Sequence, residues 1–537
     1  MAAIVYQTDK RSGITYAYES ISHWDKEKKQ SRSKRKLIGR VNPDTKEIVP
    51  TDGRCKTSSQ CKDVDIKRGT VPTTYTTRNF YGATYLFDQV GSKLGITEDL
   101  KQCFPDTYKQ ILSIAYYLIL EENNPLFRFE KWASIHKHPH GDNIPSQRSS
   151  ELFASITEEA NNDFFRLQGR RRIDKEFWAY DTTSISSMSE TLRQVQYGKN
   201  KEDDRLPQLN LALVFGEKSN LPFYYRKLPG NIPDSKTVCN LLAELDVLGF
   251  SKTKLVMDRG FYSELNVNAL VKEHVKFLIG IKISLAFVKK ELDKIYDDFR
   301  SFEFYSEKYG LYSHTIQFEW NYTQKRTYKK DVLKSTKRMY LHLYYNIEKA
   351  AEDEICFDKK LMCLRQEVLG GKRLAEHEKL YRKYFHCKTT PVRGTQVTVI
   401  SETVKEAKRH FGFFALMSNE TMDSITAIEL YRNKDVVEKA FGNLKERLNM
   451  RRMLVSSEKS LDGKLFIEFI ALIYLSYIKK QMQDNDLYKI YTLQGALDKL
   501  DIIECYEDPG MKLRVSEVLE KQKKLYIDLG VTPPTSL

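Results

Sequence analysis

From residue 176 to residue 283 the apolar residues change period in one fixed order, which leaves few ways to fold. Residues 176–180, 209–215 and 221–227 run apolar or alternate as strands, the last two an antiparallel pair turning through 216–220. The loop 229–234 follows, and Ser235 is placed to cap a helix reaching about Leu248. Residues 254–257 form a strand, Ser263 opens a second helix to about Glu273, and 276–283 form a further strand. Strands separated by helices of this length pack as layers with helices against a sheet.

The order β-β-β-α-β-α-β, with a later helix, is that of the ribonuclease H-like fold, so the expected class is α/β. Two aspartates share one context in it. Asp181 follows the run Phe177-Trp-Ala-Tyr180, and Asp258 follows Leu255-Val-Met257. Each is expected at a strand's carboxyl end, where open α/β sheets gather their functional groups. Either residue alone reads first as a turn residue or an N-cap.

The third acid comes from 431–445, Y-R-N-K-D-V-V-E-K-A-F-G-N-L-K, which the spacing predicts to be one helix. Leu430, Val437, Phe441, Leu444 and Leu448 form its apolar stripe. At roughly 100° per residue, Tyr431, Lys434 and Lys445 fall within about 40° of Glu438, whereas Arg432, Lys439 and Arg447 point away. Taken alone, this helix reads first as an ordinary solvated one with i,i+4 and i,i+7 ion pairs. Set beside Asp181 and Asp258, Glu438 completes an oxygen-only ligand set suited to Mg²⁺ or Mn²⁺. Two such ions suit in-line displacement at phosphorus. Lys434 and Lys445 would hold flanking phosphates, and Tyr431 would hydrogen-bond one.

The remainder of the chain divides by texture. Residues 1–75 read as a basic β-rich region, with eight Lys/Arg between 25 and 40 opposed by Asp25 and Glu27. That run is either a phosphate-contacting surface or a solvated hairpin. Residues 76–170 turn helical, notably 81–94 and 108–120, and as a helical unit upstream of the core are the expected DNA-binding domain, reading through a recognition helix. The core occupies 171–283 and 397–450, interrupted at 284–396 by a basic, β-rich insertion, and 451–537 is a helical tail. His136, His138 and His140 lie around Pro139 and are expected in an exposed loop rather than on one helical face. The formal charge of +15 over 537 residues favours a polyanionic partner. Eight scattered Cys without a C-x2-C pair argue against a zinc ribbon or a disulfide framework, and fit reduced thiols in a cytoplasmic protein. The apolar run 465–478 contains Glu468 and is too short to span a bilayer, so it is expected to be a buried helix.

These motifs, in this order, resemble the bacterial insertion-sequence transposases of the DDE type, in the branch with a Y-x2-R-x3-E-x6-K signature. The chain reads Tyr431-x2-Lys434-x3-Glu438-x6-Lys445, with Lys in the Arg slot; Asp181-Thr-Thr-Ser and Asp258-Arg-Gly-Phe match the two aspartate contexts. Pro229-Gly-Asn-x-x-Asp234 resembles the loop that precedes the intervening helix. The resemblance covers roughly 171–450. It implies that Asp181, Asp258 and Glu438 bind two Mg²⁺ ions, that water cuts the transposon end, and that the freed 3′-OH attacks target DNA. It also implies DNA as partner, at least a homodimer in the active complex, and no membrane. Trp320, the one Trp in the insertion, is the candidate for stacking on DNA, and reads at least as well as a strand-packing residue. Two other classes stay open: a non-catalytic DNA-binding protein derived from a transposase, and a structure-selective nuclease of the same fold.

Overall fold

The computed structural model describes residues 2–535 except 26–27, 51–75, 123, 172–175, 190, 199–205, 251–252, 327–330, 391–393, 449–451, 454–456 and 509–510. Cys55, Cys61, Arg172 and part of the basic run of the insertion therefore lie outside the described residues. The chain forms two compact units, 1–74 and 75–537.

The first unit is a four-stranded antiparallel sheet in the order β1 (Ala2–Thr8), β2 (Thr15–Asp25), β3 (Gln30–Val41), β4 (Ile48–Val49). The basic run becomes a regular hairpin of β2 and β3. Its register slips by one residue at Ala17/Tyr18, where Ile38 is the extra residue of a β-bulge.

The second unit begins with helices α1 (Gly82–Leu94), α2 (Tyr108–Leu120), α3 (Ser146–Ser155) and α4 (Glu158–Arg170). Then come the strands of one large sheet. β6 (Gln208–Gly216) pairs antiparallel with β5 (Trp178–Ser187) on one side and with β7 (Pro222–Pro229) on the other. After α5 (Thr237–Val247), β8 (Lys254–Met257) runs parallel to β5; after α6 (Glu264–Lys272), β9 (Lys276–Ile281) runs parallel to β8. The order β7-β6-β5-β8-β9 follows from the patterning: β5, β6 and β8 are almost wholly buried, as strands covered on both faces must be.

Some local expectations change. Ser235 lies inside a 3₁₀ turn, Asp234–Lys236, and α5 starts at Thr237, whose hydroxyl donates to the Asp234 carbonyl. Ser263 caps α6 as expected, accepting from the Asn266 N–H. Residues 284–396 supply a long hairpin, β10 (Leu311–Arg326) and β11 (Asp331–Tyr345), which extends the same sheet. β11 pairs with β12 (Phe413–Ser418), and β12 pairs with β9. Between β11 and β12 the chain is mainly helical, led by α7 (Ile347–Leu369).

The helix predicted over 431–445 is two helices, α8 (Ser424–Asn433) and α9 (Asp435–Glu446), meeting at Lys434. Lys434 stays near helical dihedrals, but its carbonyl takes the Val437 N–H, an i→i+3 contact that tightens the turn. Val437, Phe441, Leu444 and Leu448 are buried as the stripe required.

The run 465–478 is the middle of α10 (Glu458–Asp484), buried nearly all round against α2, α3, β7 and α9. Among the described residues no helix is long and apolar enough to cross a membrane. The helices of 76–170 and those after 451 share this one core, and a strand Thr77–Phe80 pairs with Glu504–Glu507. The histidine loop is part of it and is not exposed. His136 stacks on Trp132 and bonds Asp501, while His138 is buried beside Ser113. The apolar and aromatic neighbours contributed from distant segments were invisible to a local reading.

Candidate functional site

Asp181 does not end its strand; it is the fourth residue of β5, which runs on to Ser187. What ends is the neighbour. β8 stops at Met257, which pairs with Tyr180, so the next residues, Asp181 and Asp258, stand abreast on parallel strands. Beyond that point, among the described residues, β5 pairs on this side only at Ser186 and Ser187, with Arg452 and Met453. α9 packs across the intervening stretch and brings Glu438 to it.

Asp181, Asp258 and Glu438 line one cavity of about 300 Å³, together with Thr182, Asp234 and Phe441. The strand register, the end of β8 and the phase of α9 thus gather acids separated by 77 and 180 residues. A fourth carboxylate, Asp234, enters from the loop before α5 and takes a 2.5 Å hydrogen bond from the Thr182 hydroxyl. Asp234 was legible only as part of a loop motif. The Thr182 N–H donates to the Asp181 carboxylate at 2.8 Å.

The residues expected to meet phosphate turn inward. The Tyr431 hydroxyl donates to the Asp258 carboxylate. Lys434 is only 6 % exposed, its Nζ 3.3 Å from Glu438 and over the Tyr431 ring. Burial pulls the Lys434 ammonium toward deprotonation, but attraction from Asp258, then Glu438 and Asp181, outweighs it and holds its pKa above the usual lysine range. Asp258 shows the complementary balance. Burial pushes its carboxyl up, yet the Tyr431 hydroxyl, the Arg259 N–H and the charges of Lys434 and Arg259 hold it below the ordinary value. Tyr431 is pushed up, first by burial and then by Asp258.

Gly280 of β9 makes room for this contact. A Cβ there would meet the Tyr431 hydroxyl at 2.8 Å and the Arg259 nitrogen at 3.0 Å. Nothing in the local sequence marked it.

Lys445 is half-buried in the last turn of α9 and does not line the acid cavity. Trp320 is not brought to the site. It is 7 % exposed, donates its indole N–H to Asn268 at 2.9 Å and packs edge-on against Phe287, so it is a packing residue joining β10 to α6. Arg432 and Lys439 point away from Glu438 as expected, lining a separate cavity on the other flank of α9.

The cavity's donor set is hard oxygen throughout and strongly acidic, which fits a divalent cation such as Mg²⁺ or Mn²⁺. Among the described residues no three His, Cys, Asp or Glu side chains are already drawn into a metal cage. Glu438 is 61 % exposed at its side chain and is engaged by Lys434. The ammonium therefore supplies the positive charge that balances these acids.

Residues 172–474 match the family described as the transposase DDE domain. No curated protein matches the chain. A solved piggyBac transposase synaptic complex with hairpin DNA is similar over 77% of this chain and 70% of its own, at 11% identity and a TM-score of 0.32, too distant to carry weight.

Proposed function

The chain belongs to the transposase DDE domain family, and on that premise we propose that it binds the terminal inverted repeats of an insertion sequence and performs metal-dependent strand cleavage and strand transfer. The observation that carries this reading is the meeting of Asp181, Asp258 and Glu438 in one cavity. We read β7-β6-β5-β8-β9 with α9 as a ribonuclease H-like core, 284–396 as its insertion, and Tyr431/Lys434/Glu438/Lys445 as the branch signature.

In this reading Asp181, Asp258 and Glu438 hold two divalent cations, with Asp234 close by. Bound there, the ions supply Lewis-acid activation of the attacking and leaving oxygens of a phosphodiester. The chain's own groups orient the site. Tyr431 and the Arg259 N–H fix the Asp258 carboxylate, the Thr182 N–H fixes Asp181, and the buried ammonium of Lys434 offsets the repulsion among the acids. Lys445 is assigned to phosphate contact at the rim of the site. A homodimer on two DNA ends and a cytoplasmic location belong to the same proposal.

The test uses purified full-length protein and a plasmid carrying the repeats that flank its coding sequence, with Mg²⁺ or Mn²⁺. Nicking at the repeat ends followed by strand joining is expected. Asp181→Ala, Asp258→Ala and Glu438→Ala should each bind the ends without nicking them. A Glu438→Ala protein that nicks at the parental rate refutes the assignment. Binding without cleavage by the unmodified protein would support the non-catalytic alternative, and cleavage with neither end preference nor joining would support the nuclease.

A further inference from the structure

The N-terminal unit carries a surface to which no role is yet attached. β1 pairs with β2 only as far as Ile21, opposite Ala2, and β4 meets β3 only at Arg40 and Val41. Among the described residues, Ser22–Asp25 and Gln30–Ser33 therefore stand as a two-stranded ribbon with no third strand beside them. A bare ribbon of this kind buries little and is marginal in water. Its composition matches an outside partner instead. β3 holds Arg32, Lys34, Arg35, Lys36 and Arg40 and no acid, all five exposed. Strand alternation puts Arg32, Lys34 and Lys36 on one face, about 6.8 Å apart along the strand, and Arg35 on the other. Among the described residues the acids on the ribbon are few: Asp25, 3.7 Å from Arg32, and Glu19, opposite Lys36; Lys34 faces Ile21.

Near the tip, Trp24 is 63 % exposed and lies opposite Ser31, with His23 opposite Arg32 and Ser22 opposite Ser33. Polar side chains and one large ring at a tip, with cations on both faces behind it, are the parts of a groove reader. The tip reaches base edges and the flanks reach phosphates. Two strands about 4.8 Å apart fit a major groove about 12 Å wide. By contrast, the helices of 76–170 spend their apolar faces, and much of the rest, on the core around α10.

We propose that the β2–β3 ribbon enters the major groove of duplex DNA, with Arg32, Lys34 and Arg35 on the phosphates that line it and Trp24 covered on binding. This rests on the transposase reading for the choice of duplex DNA as partner, and it moves recognition of that DNA to the N-terminal unit.

The test uses the full chain without divalent ion and a fluorescein-labelled 24-base-pair duplex, with anisotropy followed across a KCl series. Replacing the three cations together (Arg32→Gln, Lys34→Gln, Arg35→Gln) should flatten the log–log salt slope by about 2.7, from about 0.9 per phosphate contact. The exchange Arg32→Lys, Lys34→Arg, Arg35→Lys should retain the slope. A second readout follows from burial. Of the four tryptophans, Trp132, Trp178 and Trp320 are buried, so acrylamide quenching reports chiefly on Trp24. DNA should protect that fluorescence in the parent chain, and Trp24→Phe should abolish the protected signal. An unchanged slope, no protection of Trp24, or tighter binding of a 24-base-pair RNA duplex overturns the proposal. Nicking is scored separately with Mn²⁺, so a chain that binds through the ribbon and never cuts refutes the catalytic reading alone.

Discussion

Replacing Lys434 by Gln removes the one buried ammonium coupled to Asp181, Asp258 and Glu438. In the ion-free protein this should destabilise. A charge pair at about 4 Å in an effective dielectric near 20 is worth about 4 kcal/mol before desolvation. The Glu438 side chain is 61 % exposed, so its share is screened to about 1 kcal/mol or less. Regained solvation of the lysine offsets part of the remainder, and Asp258 keeps its bonds from Tyr431 and Arg259. The net loss should be about 1–2 kcal/mol, a fall of about 1–2 °C in Tm for a unit of this size. For a divalent cation the sign reverses. A divalent cation held by the same acids would be opposed by this ammonium, because the two would share one set of carboxylates. Removing that opposition is expected to be worth about 1.4 kcal/mol, a tenfold change in affinity. Calorimetric titration of Mn²⁺ without DNA is the assay. Lys434→Gln should bind Mn²⁺ about tenfold more tightly than the parent and recover its lost Tm at saturating ion. Lys434→Arg should stay near the parent, and Glu438→Gln should bind more weakly. Unchanged or weaker Mn²⁺ binding by Lys434→Gln would refute the reasoning that the ammonium and the ion compete for the same carboxylates.

Three further outcomes follow from the packing. Gly280→Ala should push the Tyr431 hydroxyl off Asp258, since the added Cβ would lie 2.8 Å from it, and lower nicking at least tenfold while end binding persists; Gly280→Ala with Tyr431→Phe in the same chain should be no worse than Tyr431→Phe alone. Glu468 is buried with both oxygens lacking a hydrogen bond, and burial pushes its pKa up to about 7 despite Lys464 at 3.7 Å. A carboxyl raised in the fold contributes fully below about pH 4.5 and loses that contribution as pH climbs to 7, by about 3 kcal/mol; Glu468→Gln should therefore raise Tm more at pH 8 than at pH 5. Trp320→Phe should cost about 1–2 kcal/mol through the lost Asn268 hydrogen bond and leave DNA affinity unchanged, as measured by melting and anisotropy.

Local pattern carried much of the architecture. The α2 bounds, the capping of α6 by Ser263 and the turn between β6 and β7 are all written in nearest-neighbour chemistry, where a few residues decide caps and periods. Failures came where a distant segment intervened. His136 and His138 look solvated beside Pro139 until Trp132, Ser113 and Asp501 close over them. Trp320 looks available for stacking until Phe287 and Asn268 take it up.

By itself the sequence determined which acids were available and in what phase. Asp181 and Asp258 each follow an apolar run, and Glu438 is set at helical spacing from Tyr431, Lys434 and Lys445; those are one-dimensional facts. Only the tertiary structure decided that Tyr180 pairs with Met257, which sets Asp181 beside Asp258 in mid-strand, and that Tyr431 and Lys434 turn inward to the acids. The reason is that register and burial are properties of pairs of segments. A strand cannot specify where its neighbour ends, and a helix cannot specify which charges wait across the cavity it closes.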